Sequence, residues 1–347
     1  MPTIQPGGKV LITGANGYLA MWVVHKHLDR GYAVRGTVRS NEKGIQLAEH
    51  FKSYGDRFEI VIVEDITKEG AFDEAVKGVD AIQHIATPTE LPTDEPEGYS
   101  KPAIDGTIGL LKSAVSAGPS LKRVIYTSST GTMAKPSSVP IKLNENDWND
   151  AAVATVKEKG KYAPGVVKYI ASKVLAEKAA WKFYEDHKKN VNWDFAVLVP
   201  PWILGPVLYP LTTPEALNGS IRYWYDYVYS STEKYKDTLA TATTWVDVRD
   251  IAEAYVTALE KQDAAGEKIV IAAGRASWQD WIDVSNAVSD SISSLKSALP
   301  VGYPGLKGNY IYTYDLSKEK KILQTQFRSM EDTAKDMLIQ FSEYGWS

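Results

Sequence analysis

A glycine turn set between a short apolar strand and a helix limits this chain more than any other feature. Lys9-Val-Leu-Ile-Thr13 reads as a buried strand, Gly14-Ala-Asn-Gly17-Tyr-Leu-Ala20 follows at once, and Tyr18 to Arg30 carries a helical period closed by Gly31. Such a turn lets backbone approach a ligand closely, and the exposed N–H groups and dipole of the following helix favour a pyrophosphate. As an isolated string it also describes an ordinary tight turn; its place in the first strand–helix–strand unit points to a dinucleotide. Ala20 stands where a third glycine is often found and is small enough for close helix packing. Gly14, Asn16, Gly17, Tyr18 and Leu19 are the candidate pyrophosphate residues.

The alternation continues along the chain. Tyr32 to Val38, Phe58 to Val63, Asp80 to Ile85, Arg123 to Thr127 and Trp193 to Val199 read as strands. Between them Glu42 to Phe51, Ala71 to Val76, Lys101 to Ala117 and Val167 to Lys188 read as helices. Short apolar strands alternating with helices predict an α/β protein with a doubly wound parallel sheet. Lys135 to Gly165 reads as a long polar connection without structure of its own, the kind that covers a functional site. Beyond Val199 the pattern loosens into Pro-rich and aromatic segments, with helices near Asp247 to Leu259, Trp278 to Ser291 and Met330 to Tyr344. Residues 1–200 are expected to bind the dinucleotide. Residues 201–347 are expected to form mainly a smaller substrate lobe, with segments at about 240–275, including a strand from Lys268 to Ala272, returning to the first domain.

Composition excludes several classes. The 347 residues are 44% hydrophobic and 24% charged, enough apolar material for a sizeable core. A formal net charge of −4 is small and of the wrong sign for phosphate-backbone binding, so no nucleic-acid partner is expected. The absence of cysteine removes disulfides, thiolate zinc sites and a cysteine nucleophile, and fits a reducing compartment. Met1 to Lys9 shows no secretory pattern, which makes the cytoplasm the expected location. Phe195 to Leu211, the most apolar stretch, is shorter than a membrane span and holds Pro200, Pro201, Pro206 and Pro210, so no membrane association is expected. No His, Asp or Glu cluster has metal-ligand spacing, and no metal is expected.

The end of the second strand selects the cofactor. An acid there would hold the ribose hydroxyl of NAD, whereas an arginine would pair with the 2′-phosphate of NADP. The chain has Arg39 followed by Ser40, with Arg35 on the same strand, Lys43 just beyond and no acid before Glu42, which favours NADP(H). After the third strand come Asp65 and Ile66; Asp65 is placed either to accept from the adenine amino group or simply to cap the strand end.

Ser128-Ser129-Thr130 ends the strand Arg123 to Thr127, where ligands sit in such sheets. Further along, Tyr169-Ile-Ala-Ser-Lys173 places a phenol and an ammonium on one helix face. A free tyrosine has a pKa near ~10, and a neighbouring cation favours its charged form, which makes it a usable acid–base group. Three other Tyr-to-Lys pairs share the spacing, from Tyr184, Tyr303 and Tyr314. The second of these encloses Pro304-Gly305, the third lies far down the smaller lobe, and Tyr184 lacks the Ser172-Lys-Val-Leu-Ala176-Glu177 surround.

Taken together, Thr13-Gly-Ala-Asn-Gly-Tyr-Leu-Ala20, Arg35-Gly-Thr-Val-Arg-Ser40, His84-Ile-Ala-Thr-Pro88, Thr127-Ser-Ser129, Tyr169-Ile-Ala-Ser-Lys173 and Pro200-Pro-Trp-Ile203 resemble the extended short-chain dehydrogenase/reductases. Within them the chain is similar to NADP-dependent carbonyl and aldehyde reductases of yeasts and fungi and to plant dihydroflavonol reductases. The resemblance implies a Rossmann fold with a smaller C-terminal substrate lobe. It implies Tyr169 as the acid that protonates a carbonyl oxygen while NADPH delivers hydride to the carbon. Lys173 would bond the nicotinamide ribose and lower the tyrosine pKa, and Ser129, rather than Ser128, would bond the same oxygen. Ala86, Thr87, Pro88 and Thr127 would border the cofactor, and Pro200 to Ile203 would support the nicotinamide. One departure is Gly106-Thr107-Ile108-Gly109, where the family commonly has Asn at the last position; a side-chain proton relay from there is absent. Relatives occur as monomers and as homodimers.

The expected substrate is a small carbonyl compound. The aromatic segment Trp202 to Tyr229, with Thr130, Trp148, Tyr209 and Trp245, is the candidate substrate wall, although most of the 10 Trp and 20 Tyr serve core packing. Such a wall suits aryl ketones, aldehydes or β-keto esters. His84 beside the cofactor is expected to be structural. Three competing readings have sequence markers. Nucleotide-sugar dehydratases carry Asp-Glu where this chain has Ser128-Ser129, a sugar epimerase would prefer NAD against Arg39, and a redox sensor without turnover would lose the Tyr and Lys.

Overall fold

In β1 (Lys9–Ile12), Val10 and Ile12 fall in one buried cluster and Leu11 in another, so the strand carries apolar side chains on both faces and requires cover on both. The computed structural model, which describes residues 3–87, 94–209, 211–230, 235–295 and 297–346, supplies that cover with helices. After β1 come α1 (Tyr18–Asp29), β2 (Ala33–Val38), α2 (Asn41–His50), β3 (Phe58–Ile62), β4 (Ala81–His84), α3 (Pro96–Val115) and β5 (Arg123–Thr127). Next are β6 (Ile141–Leu143), α4 (Asp150–Lys159), α5 (Gly165–His187) and β7 (Asp194–Val199).

The remainder forms β8 (Trp202–Leu204), α6 (Gly219–Trp224), α7 (Lys236–Ala240), β9 (Ala242–Asp247), α8 (Val248–Glu260) and β10 (Lys268–Val270). It ends with β11 (Gly274–Ser277), α9 (Trp278–Ser289), β12 (Tyr312–Tyr314), α10 (Ser317–Ile322) and α11 (Met330–Glu343). Seven strands build one parallel sheet in the order β10-β7-β5-β4-β1-β2-β3. The order reverses between β1 and β4, which leaves a crevice at their carboxyl ends, the position at which sheets of this type bind ligands.

One cluster packs α1 and α8 on the first face; the second packs α3 and the inner side of α5 on the other. Each fully buried Leu, Ile or Val in these layers contributes roughly 1.5–3 kcal/mol relative to exposure. At the amino ends of the strands, fully buried Arg123 grips Asp194 through Nε at 2.6 Å and the second guanidinium nitrogen at 3.0 Å, and donates to the carbonyl of Lys261 at 2.7 Å. This fixes β5, β7 and the end of α8 together. A third cluster, rich in Trp and Tyr, joins the three-stranded sheet β11-β9-β8 to α9 and α11. Strand β10 pairs with β7 and so returns to the large sheet.

Three expectations need correction. Ala71 to Val76 forms turns, not a helix: Gly70 and Gly78 bracket it at φ +72° and +68°, leaving too few residues for stable helical turns, while Phe72, Ala75 and Val76 still fill the core. The third helix begins at Pro96, five residues earlier than Lys101, because proline is favoured in a first helical turn. The connection from Lys135 to Gly165 is structured. It holds β6, paired in parallel with β12, and α4, capped by Asn149 through Ala152 N at 3.1 Å.

Candidate active site

The crevice begins at Gly14, whose φ of +64° suits glycine and whose missing Cβ would lie 3.1 Å from Ala86. Gly17 caps α1 with no side-chain acceptor, so the first amides of the helix that carries Tyr18 and Leu19 face no competing side-chain cap. Asn16 is partly exposed at the same turn. These features fit a pyrophosphate. Thr13 Oγ1 accepts from the amides of Ile85 (3.1 Å) and Ala86 (3.0 Å), which ties the ends of β1 and β4 together across the switch point. Its own proton therefore goes to His84 Nδ1 at 2.9 Å, leaving the ring proton on Nε2. Burial drives the His84 pKa down to about 3, with the Lys173 charge adding to the effect, so this ring is neutral and structural.

Around the edge of the sheet, Arg39 is exposed and no ion pair engages it among the described residues. Ser40 caps α2 by accepting from Lys43 N at 3.4 Å, so exposed Arg39 directly precedes a helix N-terminus whose first turn carries Lys43. Arg35, by contrast, serves the fold: it pairs with Glu59 and donates to the carbonyls of Ala75 and Lys77. Asp65 accepts from the Thr67 hydroxyl (2.7 Å) and amide (2.9 Å), both through Oδ1, and these bonds lower its pKa. Ile66 packs over Gly106.

At the carboxyl end of β5, the Ser129 hydroxyl is a neighbour of the Tyr169 phenol. Ser129 Oγ accepts from Gly131 N at 3.2 Å, which fixes the hydroxyl. Burial pushes the Tyr169 pKa up, with the nearby Ser129 opposing the shift. One turn on, the Lys173 ammonium donates to the Thr127 carbonyl at 2.7 Å and to Thr87 Oγ1 at 3.2 Å, and lies 4.9 Å from the centre of the Tyr126 ring. Desolvation lowers its pKa to about 8 against the pull of Glu177. The expected effect of Lys173 on the phenol is not among the causes of the Tyr169 shift; the ammonium is directed at two strand ends instead. The Thr127 side chain points to the other face of the sheet and bonds Tyr255 at 2.6 Å. Pro88 lies outside the described residues.

The amide of Thr130 donates to Pro200 at 2.9 Å, joining the ends of β5 and β7, and Ile203 pairs with Val246 in the lobe sheet. Among the proposed wall residues, Trp202 is partly exposed and stands edge-on to Tyr223 and Trp278 at 5.2 and 5.3 Å. Thr130 is buried and accepts from Tyr314 through its carbonyl. Tyr209 neighbours Tyr18 and Tyr344. Trp245 lies in the lobe core against Trp281 at 5.0 Å. Trp148 is brought to Lys178 and Lys268, whose ammonium groups lie 5.0 and 4.0 Å from its ring, not to Tyr169. Nine residues of α5 separate Lys178 from Tyr169, about 13 Å at the helical rise.

A model of the NAD dependent epimerase/dehydratase family matches residues 10–274. The chain belongs to that family. A ketoreductase of Aspergillus niger (azaE) is 35% identical, covering 96% of this chain and 98% of its own. The NADPH-dependent methylglyoxal reductase of Saccharomyces cerevisiae is 31% identical over the same shares. The solved structure of that yeast methylglyoxal/isovaleraldehyde reductase complexed with NADPH matches with a TM-score of 0.85 at 29% identity, covering 97% of this chain and 99% of the other. The glycine turn, the Ser129 strand end and the Tyr169–Lys173 helix all lie within the matched residues. Sequence reasoning quoted Glu177 only as a neighbour of the motif and did not foresee its place behind Lys173; the spacing of four residues from Lys173 was the available signal. No helix among the described residues is long and apolar enough to cross a membrane.

Proposed function

We propose that this protein is an NADPH-dependent carbonyl reductase in which Tyr169 protonates the oxygen of a ketone or aldehyde. The observation that carries this reading is the placement of Ser129 beside the Tyr169 phenol at the mouth of the crevice, with Lys173 one turn behind and anchored to the carboxyl end of β5. Gly14, Asn16, Gly17, Tyr18 and Leu19 would hold the pyrophosphate, and Arg39 with Lys43 at the start of α2 the 2′-phosphate. Asp65 and Ile66 would border the adenine, and Ala86, Thr87, Thr127, Pro200 and Ile203 the nicotinamide half. Residues 1–200 then bind the dinucleotide, and residues 201–347 mainly the substrate.

NADPH, when bound, supplies the hydride that goes to the carbonyl carbon. The proton for the oxygen comes from the protein. Burial keeps the Tyr169 phenol protonated at neutral pH, which is the state a general acid requires. Ser129 is fixed by Gly131 N and would donate toward the oxygen on which charge develops, and Lys173, held at the ends of β4 and β5, would bond the nicotinamide ribose. The partly exposed aromatic group Trp202, Tyr223 and Tyr227 favours an aryl ketone, an aldehyde or a β-keto ester as acceptor. A chain without cysteine suits a cytoplasmic enzyme.

The test is consumption of NADPH, with NADH in parallel, against a panel of aldehydes, aryl ketones and β-keto esters. Turnover with NADPH and weak turnover with NADH supports the reading. Tight NADPH binding with no turnover across the panel would replace it with a non-catalytic sensor or a nucleotide-sugar enzyme.

A further inference from the structure

Tyr169, Lys173 and Glu177 follow one another at intervals of four on α5 and so share one stripe of the helix. The mechanism above uses the first two. Glu177 is fully buried, and four groups converge on its carboxylate. Oε2 accepts from the hydroxyls of Ser128 and of Thr132, the latter at 3.1 Å. Oε1 lies 2.8 Å from Lys268 Nζ of β10 and 3.4 Å from Trp181 Nε1. Burying a carboxylate this completely is unfavourable unless it is paired and bonded, and here it is both.

The partners are informative because they flank Ser129. Ser128 precedes it directly, and its amide is held by the Leu198 carbonyl at 2.8 Å. Thr132 holds the Ser129 carbonyl from its amide at 2.9 Å, and its one hydroxyl proton is shared between that carbonyl at 2.8 Å and Glu177 Oε2. One carboxylate thus grips the residue before Ser129 and the residue that holds the Ser129 carbonyl. The same carboxylate opposes the desolvation of Lys173.

We propose that Glu177 is a positioning residue for the reduction: it fixes the turn that presents Ser129 and supplies the negative charge that Lys173 faces from behind. The proposal rests on the reductase reading given above. Lys173 also faces Tyr126 from β5 and the neutral His84 from β4, neither of which carries charge near neutral pH. Tyr169 on its own helix is likewise protonated there. Glu177 is therefore the anionic group at that end of the stripe, and Lys268 balances it from β10.

Glu177→Gln keeps the shape and removes the charge. Its kcat is expected to fall by about tenfold or more, with NADPH affinity within about twofold of the parent. The basic limb of its pH profile moves to lower pH by about half a unit or more, because Lys173 loses its proton more readily. Lys268→Gln leaves the carboxylate unbalanced and moves the same limb to higher pH. Ser128→Ala lowers kcat a few-fold without moving the limb. A folded Glu177→Gln variant with kcat within about twofold of the parent and an unmoved limb overturns the proposal. Should that variant not fold, an unmoved or lowered limb in Lys268→Gln does so.

If the parent protein reduces no carbonyl in the panel, the reductase reading fails by itself. The charge relationship is then read by NMR titration of 13C-labelled lysine, with Lys173 assigned through Lys173→Arg. A lower Lys173 midpoint in Glu177→Gln supports the inference, and an equal midpoint overturns it.

Discussion

Lys173 Nζ donates to the carbonyl oxygen of Thr127 at 2.7 Å, so the ammonium one turn behind the phenol is anchored to the carboxyl end of β5. A second bond, to Thr87 just beyond β4, fixes it across two neighbouring strands. Its position follows from the sheet and not from the flexible lysine stem, which gives the crevice a cation of defined place before any ligand enters.

Holding that cation out of water is destabilising, and the direction of its pKa gives the sign. Below about pH 8 the lysine is protonated in both folded and unfolded chains, and the burial penalty is fully present. Between about pH 8 and the ordinary lysine value of 10.5, the unfolded chain binds more protons than the folded one, so this contribution relaxes as pH rises. The difference corresponds to about 3 kcal/mol. Lys173→Met is expected to lose turnover by at least about 10²-fold while its urea midpoint at pH 7 stays at or above that of the parent. A lower midpoint would show that the bonds to Thr127 and Thr87 outweigh desolvation.

Arg39 stands exposed beside the capped start of α2. Arg39→Ala is expected to lower kcat/KM for NADPH by about 10- to 100-fold and leave NADH nearly unaffected, since only the former carries the 2′-phosphate. Parallel steady-state assays with the two cofactors check this, and an equal loss for both would remove the role given to the arginine.

At Gly14 the left-handed φ and the 3.1 Å distance to the Ala86 backbone act in the same direction. Gly14→Ala is expected to destabilise the fold by about 1–3 kcal/mol and weaken NADPH binding by tenfold or more, read by urea unfolding and by titration of NADPH fluorescence.

Gly109 gives the opposite outcome. Its added Cβ would meet nothing nearer than the Ile66 carbonyl at 3.7 Å, and it lies within α3. Gly109→Ala is expected to raise stability by about 0.5–1 kcal/mol and leave kcat unchanged, as it removes only backbone freedom. A fall in kcat would show that the helix backbone at this point takes part in proton movement.

The parallel sheet was legible because each of its strands is a short apolar run and the glycine turn marks the first crossover. Tyr169 and Lys173 were legible because helical spacing converts sequence into a shared face. The structure inside Lys135 to Gly165 was not: β6 is three residues long and finds its partner β12 some 170 positions later, while α4 buries only Ala152 and shows almost no apolar period. The aromatic wall was legible only as a composition. Which of its rings face solvent, as Trp202 partly does, and which fill the core, as Trp245 does, depends on how β8, β9 and α9 pack.

The most direct test of the central claim is the turnover of Tyr169→Phe beside the parent enzyme with NADPH and the best carbonyl acceptor of the panel. Phenylalanine keeps the ring and removes the proton. The account predicts a fall in kcat of about 10²–10⁴-fold with NADPH affinity within about threefold of the parent. A variant that binds NADPH and retains turnover within about tenfold of the parent would contradict it, because the proton would then come from another group.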